Sequence, residues 1–302
     1  MRWLGLLVVA LIAAGSAQAA CSVQKRAEVT LDEAGGVPLV PLTVDGHPAS
    51  FILDTGAQRS LVTSDAAGRL GLVRDEWVAT TMRGVGGVER NRNADPRSLE
   101  LGGAALRRRT MAHDNTLAVG TIPRDMIAGR RIDGLLGRDL LSVFDLDLDV
   151  PARRLALYQV EGCAGRFLPW TVGYSAVPVR NPAESALVVP VELDGHPLQA
   201  LLDTGAGSTL LAAPGIAKLG LEPVDFTSDT ASAISGLGPR TVAARRHRFA
   251  RLRVGSETVR QPWIWVAPIR LYPITDMLLG ADWLTARRVW ISYATRQIFI
   301  AS

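Results

Sequence analysis

The chain has 302 residues, 48% of them hydrophobic and 21% charged, which excludes a disordered tail and leaves room for one large domain or two modest ones. The net charge is +4, and every basic residue except Lys25 and Lys218 is arginine. Neither Arg107-Arg108-Arg109 nor the group Arg245, Arg246 and Arg248 comes with interleaved aromatics or a nucleic-acid motif, so both read as solvated surface charge and no nucleic-acid partner is expected.

In chain order, Met1-Arg2 gives a positive start, Trp3 to Ala14 is apolar but short for a membrane span, and Ala17-Gln18-Ala19 places small residues where a signal peptidase reads. This predicts a signal peptide over residues 1–19 and a periplasmic or secreted mature protein without a membrane span. An uncleaved anchor is the alternative; a lipid anchor on Cys21 is disfavoured because Gln18 stands where leucine is wanted. Val40 to Val44 reads as a strand and Asp45-Gly46 as a tight hairpin turn, since both turn positions tolerate positive φ. The return strand Phe51-Ile52-Leu53 stops at Asp54. Glycine-rich Gly84-Val85-Gly86-Gly87 lacks the lysine and the following helix of a phosphate loop. Helical signals are weak, with Arg138 to Phe144 and Ala281 to Arg287 the best short candidates. Phe144 to Val150 and Arg154 to Tyr158 read as a hairpin around Pro151-Ala152. Trp263 and Trp265 share one face of a strand and read as packing side chains rather than a substrate pocket. Cys21 and Cys163 could pair in an oxidising compartment or stand as two thiols. With His47, His113, His196 and His247 scattered, no metal-site spacing exists, and neither metal nor cofactor is expected.

The informative feature is a repeat. PLTVDGHPASFILDTGA at Pro41 to Ala57 aligns without a gap with PVELDGHPLQALLDTGA at Pro190 to Ala206. Downstream, Gly71-Leu72 matches Gly220-Leu221, the glycine-rich turn at 84–87 matches Gly236-Leu237-Gly238, SLELGG from Ser98 matches RLRVGS from Arg251, and DGLLGRDLL from Asp133 matches DMLLGADWL from Asp276. The same elements in the same order predict two similar all-β lobes, residues 20–160 and 168–302, joined by a linker at 161–167.

Each copy carries Asp-Thr-Gly directly after an apolar run, at 54–56 and at 203–205. One such tripeptide would arise by chance in a chain of this length roughly once in twenty cases, so two at matching places in a repeat are not accidental. A carboxylate at the end of a buried strand is held rigidly. The glycine after it allows close backbone approach, and two threonine hydroxyls, each donor and acceptor, can lock facing loops together. If the halves face each other, Asp54 and Asp203 meet and share one proton. The ionised member then activates water while the protonated one donates to a carbonyl oxygen. His47 and His196 follow hairpin turns and read as turn residues. Asp139 and Asp282 read as N-cap or first-turn residues of the short helices. No serine elbow or cysteine–histidine pair competes.

On Leu53 to Ala57, Leu202 to Ala206 and the Leu135-Leu136-Gly137-Arg138 and Leu278-Leu279-Gly280-Ala281 segments, the chain resembles the retropepsin-like aspartic peptidases, two copies fused in one polypeptide as in the pepsin-like enzymes. The resemblance implies two pseudo-symmetric closed β-barrel lobes with few short helices. It implies catalytic Asp54 and Asp203, supporting loop residues Thr55, Gly56, Ala57, Thr204, Gly205 and Ala206, and structural Gly137 and Gly280 beneath them. It also implies flap tips at Gly84, Gly86 and Gly87 and at Gly236 and Gly238, closing over an extended peptide. Gln58 and Gly207 depart from the acidic residue of retroviral enzymes, Ala281 replaces the second arginine, and neither flap tip has a tyrosine. The implied protein is an endopeptidase active as a monomer, an internal pseudo-dimer. A non-catalytic peptide-binding module on the same fold is the alternative.

Overall fold

Alternation along the paired strands decides which side chains meet. Val40, Leu42 and Val44 on Val37–Val44, with Phe51 and Leu53 on His47–Leu53, point into one continuous core. Leu39 and Ile52 point the other way, into a smaller cluster with Leu61 and Leu135. The second half repeats this. Leu198, Ala200 and Leu202 enter the large core, and Leu201 joins Leu210 and Leu278 in a second small cluster. The computed structural model describes residues 20–107, 115–122, 129–180 and 186–302; the predicted signal peptide, Arg108, Arg109 and His113 lie outside them.

The architecture is all-β with short helices, two retropepsin-like lobes each built on a repeat. In the first half, the hairpin Val37–Val44/His47–Leu53 turns at Asp45 and Gly46, with φ of 48° and 80°. Gly134–Leu136 runs parallel to the return strand, pairing Leu136 with Leu53. Leu61–Thr63 and Ala118–Gly120 complete that edge of the sheet. In the second half, Val188–Leu193, His196–Leu202, Leu210–Leu211, Trp263–Val266 and Met277–Leu279 occupy the matching places, with Leu279 against Leu202. The turn Asp194-Gly195 matches Asp45-Gly46, at φ 48° and 86°. His47 and His196 are exposed just after these turns.

A third sheet joins the halves. Asp145–Asp149 pairs antiparallel with Arg288–Ser292, each is followed by its hairpin partner, Arg154–Glu161 or Gln297–Ala301, and Ser22–Thr30 and Tyr174–Pro178 close the two edges. Each half therefore supplies three strands, related by an axis between Asp145–Asp149 and Arg288–Ser292. One face of this sheet covers the large core; the other carries an aromatic cluster around Trp290, Phe299, Trp170 and Tyr158. Buried Asp147 accepts from Arg154 at 3.0 Å and from Arg288 of the other half at 2.7 and 2.9 Å, so the one carboxylate binds a guanidinium from each half. Cys21 and Cys163 form a disulfide, tying the strand that begins at Ser22 to the segment after Glu161. Among the described residues no helix is long and apolar enough to cross a membrane.

The two expected helices are present as single turns, Arg138–Leu141 and Ala281–Leu284. Two further helices, Ser64–Arg69 and Ala213–Leu219, carry too little apolar periodicity to announce themselves; each is held from outside. Arg69 reaches Asp133 at 2.7 Å, and Lys218 reaches Asp276 at 2.7 Å, the same contact in both repeats.

Candidate active site

Each Asp-Thr-Gly loop leaves the sheet where its strand loses a partner. The Asp54 amide donates to Leu136 O at 3.0 Å and the Asp203 amide to Leu279 O at 2.9 Å, which are the last bonds of the two parallel ladders. The chain then turns back, and the loop amides point at the carboxylates. Ala57 N donates to Asp54 Oδ1 at 2.8 Å, while Gly205 N and Ala206 N donate to Asp203 Oδ1 at 3.0 and 3.1 Å.

The halves lock through the threonines. Thr55 N donates to Thr204 Oγ1 at 3.0 Å and Thr204 N to Thr55 Oγ1 at 3.2 Å. Each hydroxyl also donates to the strand end of the other half, Thr55 to Leu202 O at 2.8 Å and Thr204 to Leu53 O at 2.5 Å. Both side chains are fully buried. Four bonds across the axis leave the two carboxyl groups facing each other.

Asp54 and Asp203 are hydrogen-bonded to one another at the floor of a cleft of about 750 Å³. Each carboxyl lies over the glycine of the opposite loop. A Cβ on Gly56 would stand 2.3 Å from Asp203 Cγ, and one on Gly205 would stand 2.4 Å from Asp54 Cγ, so only glycine fits at either place. Burial pushes both acids above the ordinary carboxylate range. Asp54 is pushed well above it because the charge of Asp203 adds to burial. For Asp203, bonds from Asp54, Ala206 and Gly205 and the field of Arg138 oppose the rise. The two acids share one proton, and the pair titrates as a unit.

Beneath the loops, Gly137 N donates to Ser60 Oγ at 2.9 Å and Gly280 N to Thr209 Oγ1 at 3.2 Å. Those hydroxyls donate to Asp139 at 2.6 Å and Asp282 at 2.7 Å. The N-cap half of the sequence reading is thereby corrected. The caps are Gly137 and Gly280, and the first-turn carboxylates reach sideways to the residue that follows each active-site loop, because a carboxylate there satisfies a backbone amide and a hydroxyl together. Ser60 and Thr209 were legible as matching repeat positions but carry no motif of their own. Arg138, almost fully buried, donates from Nη1 to Gly56 O at 2.7 Å. Tyr293 escaped the sequence reading altogether. Its hydroxyl is buried without a hydrogen-bond partner among the described residues, and burial raises its pKa far above the ordinary phenol range, against the opposing field of Arg138 and with added push from Asp145 and Asp54.

Above the cleft, Val73–Gly84 and Gly87–Asp95 form a long hairpin closed by the pair Gly84–Gly87. Thr230–Ile234 and Val242–Arg248 form its counterpart, with a longer loop at 235–241. The tips touch: Gly86 N donates to Leu237 O at 2.9 Å and Arg240 N to Gly86 O at 3.0 Å. A Cβ on Gly86 would stand 2.4 Å from Gly238 O, so the glycines permit backbone-to-backbone contact. Trp265 packs against the small cluster of the second half, as expected, and also lines the cleft, which the sequence reading disfavoured. Trp263, on the same face but further out, is 48% exposed with Arg246 and Arg248 over its ring. Strand alternation told only that the two tryptophans share a face, not which space that face borders.

The aspartyl protease family model matches residues 40–140 and again 189–283, together more than half of the chain. The chain belongs to this family, as two tandem retropepsin-like copies. It is thus of the peptidase class, acting on peptides. No curated protein matches it.

Proposed function

We propose that the protein is an aspartic endopeptidase in which a water held between Asp54 and Asp203 attacks the peptide carbonyl. The observation that carries this reading is the meeting of two half-buried carboxyl groups from the two repeats at the floor of one cleft. The ionised member of the pair, held by the amides of its own loop, takes a proton from the water, and the protonated member donates its proton to the carbonyl oxygen, giving a neutral tetrahedral diol. Collapse returns a proton to the leaving nitrogen and restores the shared proton, so no covalent intermediate is needed. The paired hairpins close over an extended peptide and open to admit it.

Both carboxyls come from one chain, so the active species is a monomer of two lobes, residues 20–160 and 168–302, joined at 161–167. Activity confined to a dimer peak in size-exclusion chromatography would rule this out. The disulfide supports an oxidising location, periplasmic or secreted, reached through a cleaved segment at 1–19. Mass spectrometry of the exported protein should find Ala20 at the N-terminus. The central test incubates the mature protein with a mixed peptide library from acid to neutral pH beside Asp203→Asn. Cleavage by the wild type alone is expected; equal cleavage by both, or none by either, removes the reading.

A further inference from the structure

The two walls of the cleft are built from the same repeat but no longer carry the same chemistry. Arg59 and Ser208 stand at matching positions, five residues after Asp54 and Asp203, and both line the cleft. Near the hairpin tips, where Gly84-Val85-Gly86 matches Gly236-Leu237-Gly238, Arg83 falls opposite Ser235, and both line the cleft. Register identifies a third exchange. Leu61 pairs in parallel with Ala118, and its counterpart Leu210 pairs in parallel with Trp265. Ala118 is fully buried and contributes nothing to the cleft, whereas Trp265 lines it beside Leu210, Leu271 and Tyr272. The first two exchanges put charge on the first wall, and the third puts apolar bulk on the second.

The charge on the first wall is available to a ligand. Among the described residues lining the cleft, the only carboxyls are the dyad itself. Arg59 lies 3.7 Å from Asp139, which neutralises part of its field. Arg83 is exposed and forms no ion pair with any described residue. Arg246 and Arg248, further out on the second half, turn over the Trp263 ring and are not part of the lining. A peptide bound across the dyad has a direction, so one wall meets residues before the cut and the other those after it.

We propose that the substrate is a peptide with an acidic side chain on the side of the scissile bond facing Arg83 and a large apolar or aromatic side chain on the side facing Trp265. This rests on the peptidase reading above and adds the substrate class to it. Arg83 supplies the charge that pairs with the carboxylate, and Trp265 supplies the floor of the apolar pocket.

Positional profiling of the library cleaved by the mature protein should show Glu or Asp enriched on one side of the cut and Trp, Phe or Leu on the other. A matched Glu/Gln peptide pair should then differ in kcat/KM by about fivefold, the upper range for a partly exposed ion pair. Arg83→Gln should bring that ratio to about one, and Arg83→Glu should invert it in favour of a Lys peptide, which a merely structural role would not do. Trp265→Ala should erase the apolar preference while leaving the Glu/Gln ratio intact. Asp203→Asn, which needs no turnover, should bind the Glu peptide more tightly than the Gln peptide by a similar factor. Equal handling of the two peptides in cleavage and binding, or acidic and apolar preferences on the same side of the cut, overturns the proposal while leaving the peptidase reading standing. Selective binding without any cleavage removes the peptidase reading and keeps the subsite.

Discussion

The two halves of this chain agree at most residues that hold the dyad and differ at several that face the cleft. Asp54 with Asp203, Thr55 with Thr204, Ser60 with Thr209, Asp139 with Asp282 and Asp133 with Asp276 make the same bonds in both repeats. Arg59 against Ser208, Ala118 against Trp265 and a two-residue hairpin tip against the loop at 235–241 do not match. Two carboxyls share one proton only when they are held close together, so the bonds that bring them together recur about the two-fold axis. A peptide has no such axis, so the walls that read it are free to differ.

The sharpest way to break this symmetry is at the acids. Asp54→Asn and Asp203→Asn should each lower kcat by at least about a thousandfold, since either leaves the pair without its acid or its base; peptide cleavage measures this. The same variants should be more stable than the wild type at neutral pH. Both carboxyls have raised folded pKa values, so the stability they contribute is complete below the ordinary value of 3.8 and is lost as pH rises through the folded value. Thermal melts of Asp54→Asn and wild type should therefore converge below that pH and separate above it; a constant gap would contradict the raised values.

Thr55→Val and Thr204→Val test whether the supports are equal. Each substitution removes a buried hydroxyl and strands two backbone groups of the opposite half, at a cost of about 2–4 kcal/mol, and the two should agree in urea midpoint. Serine at either place should restore most of the loss.

Arg138 is the one support the second half lacks, Ala281 standing in its place. Arg138→Leu strands Gly56 O and should cost about 1–3 kcal/mol. It also removes a positive charge that holds Asp203 down, so the acid limb of the pH–rate profile should move to higher pH. No movement of that limb would separate Arg138 from the dyad.

The smallest effect is expected at the hairpin tips. Gly86→Ala pushes a methyl into Gly238 O, so the tips should part. KM should rise by about threefold to tenfold with little change in kcat, the loss of one or two backbone bonds' worth of closure.

Much of this was legible in the chain itself. The repeat announces two lobes, the doubled Asp-Thr-Gly names the acids, and the Asp-Gly turns and apolar runs place the strands that carry them. These signals are local, because a turn, an alternation or a tripeptide is complete within a few residues. The bond from Ser60 to Asp139 and the electrostatic influence of Asp54 on Tyr293 are not local. They join residues dozens to hundreds apart whose own neighbourhoods carry no motif. Strand periodicity put Trp263 and Trp265 on one face but could not say that the face borders a cleft, since that depends on where the second half lies. The sequence by itself determined the duplicated all-β frame and its pair of acids. Only the tertiary structure decided which walls those acids look out on, because a cleft exists only between two lobes and belongs to neither repeat alone.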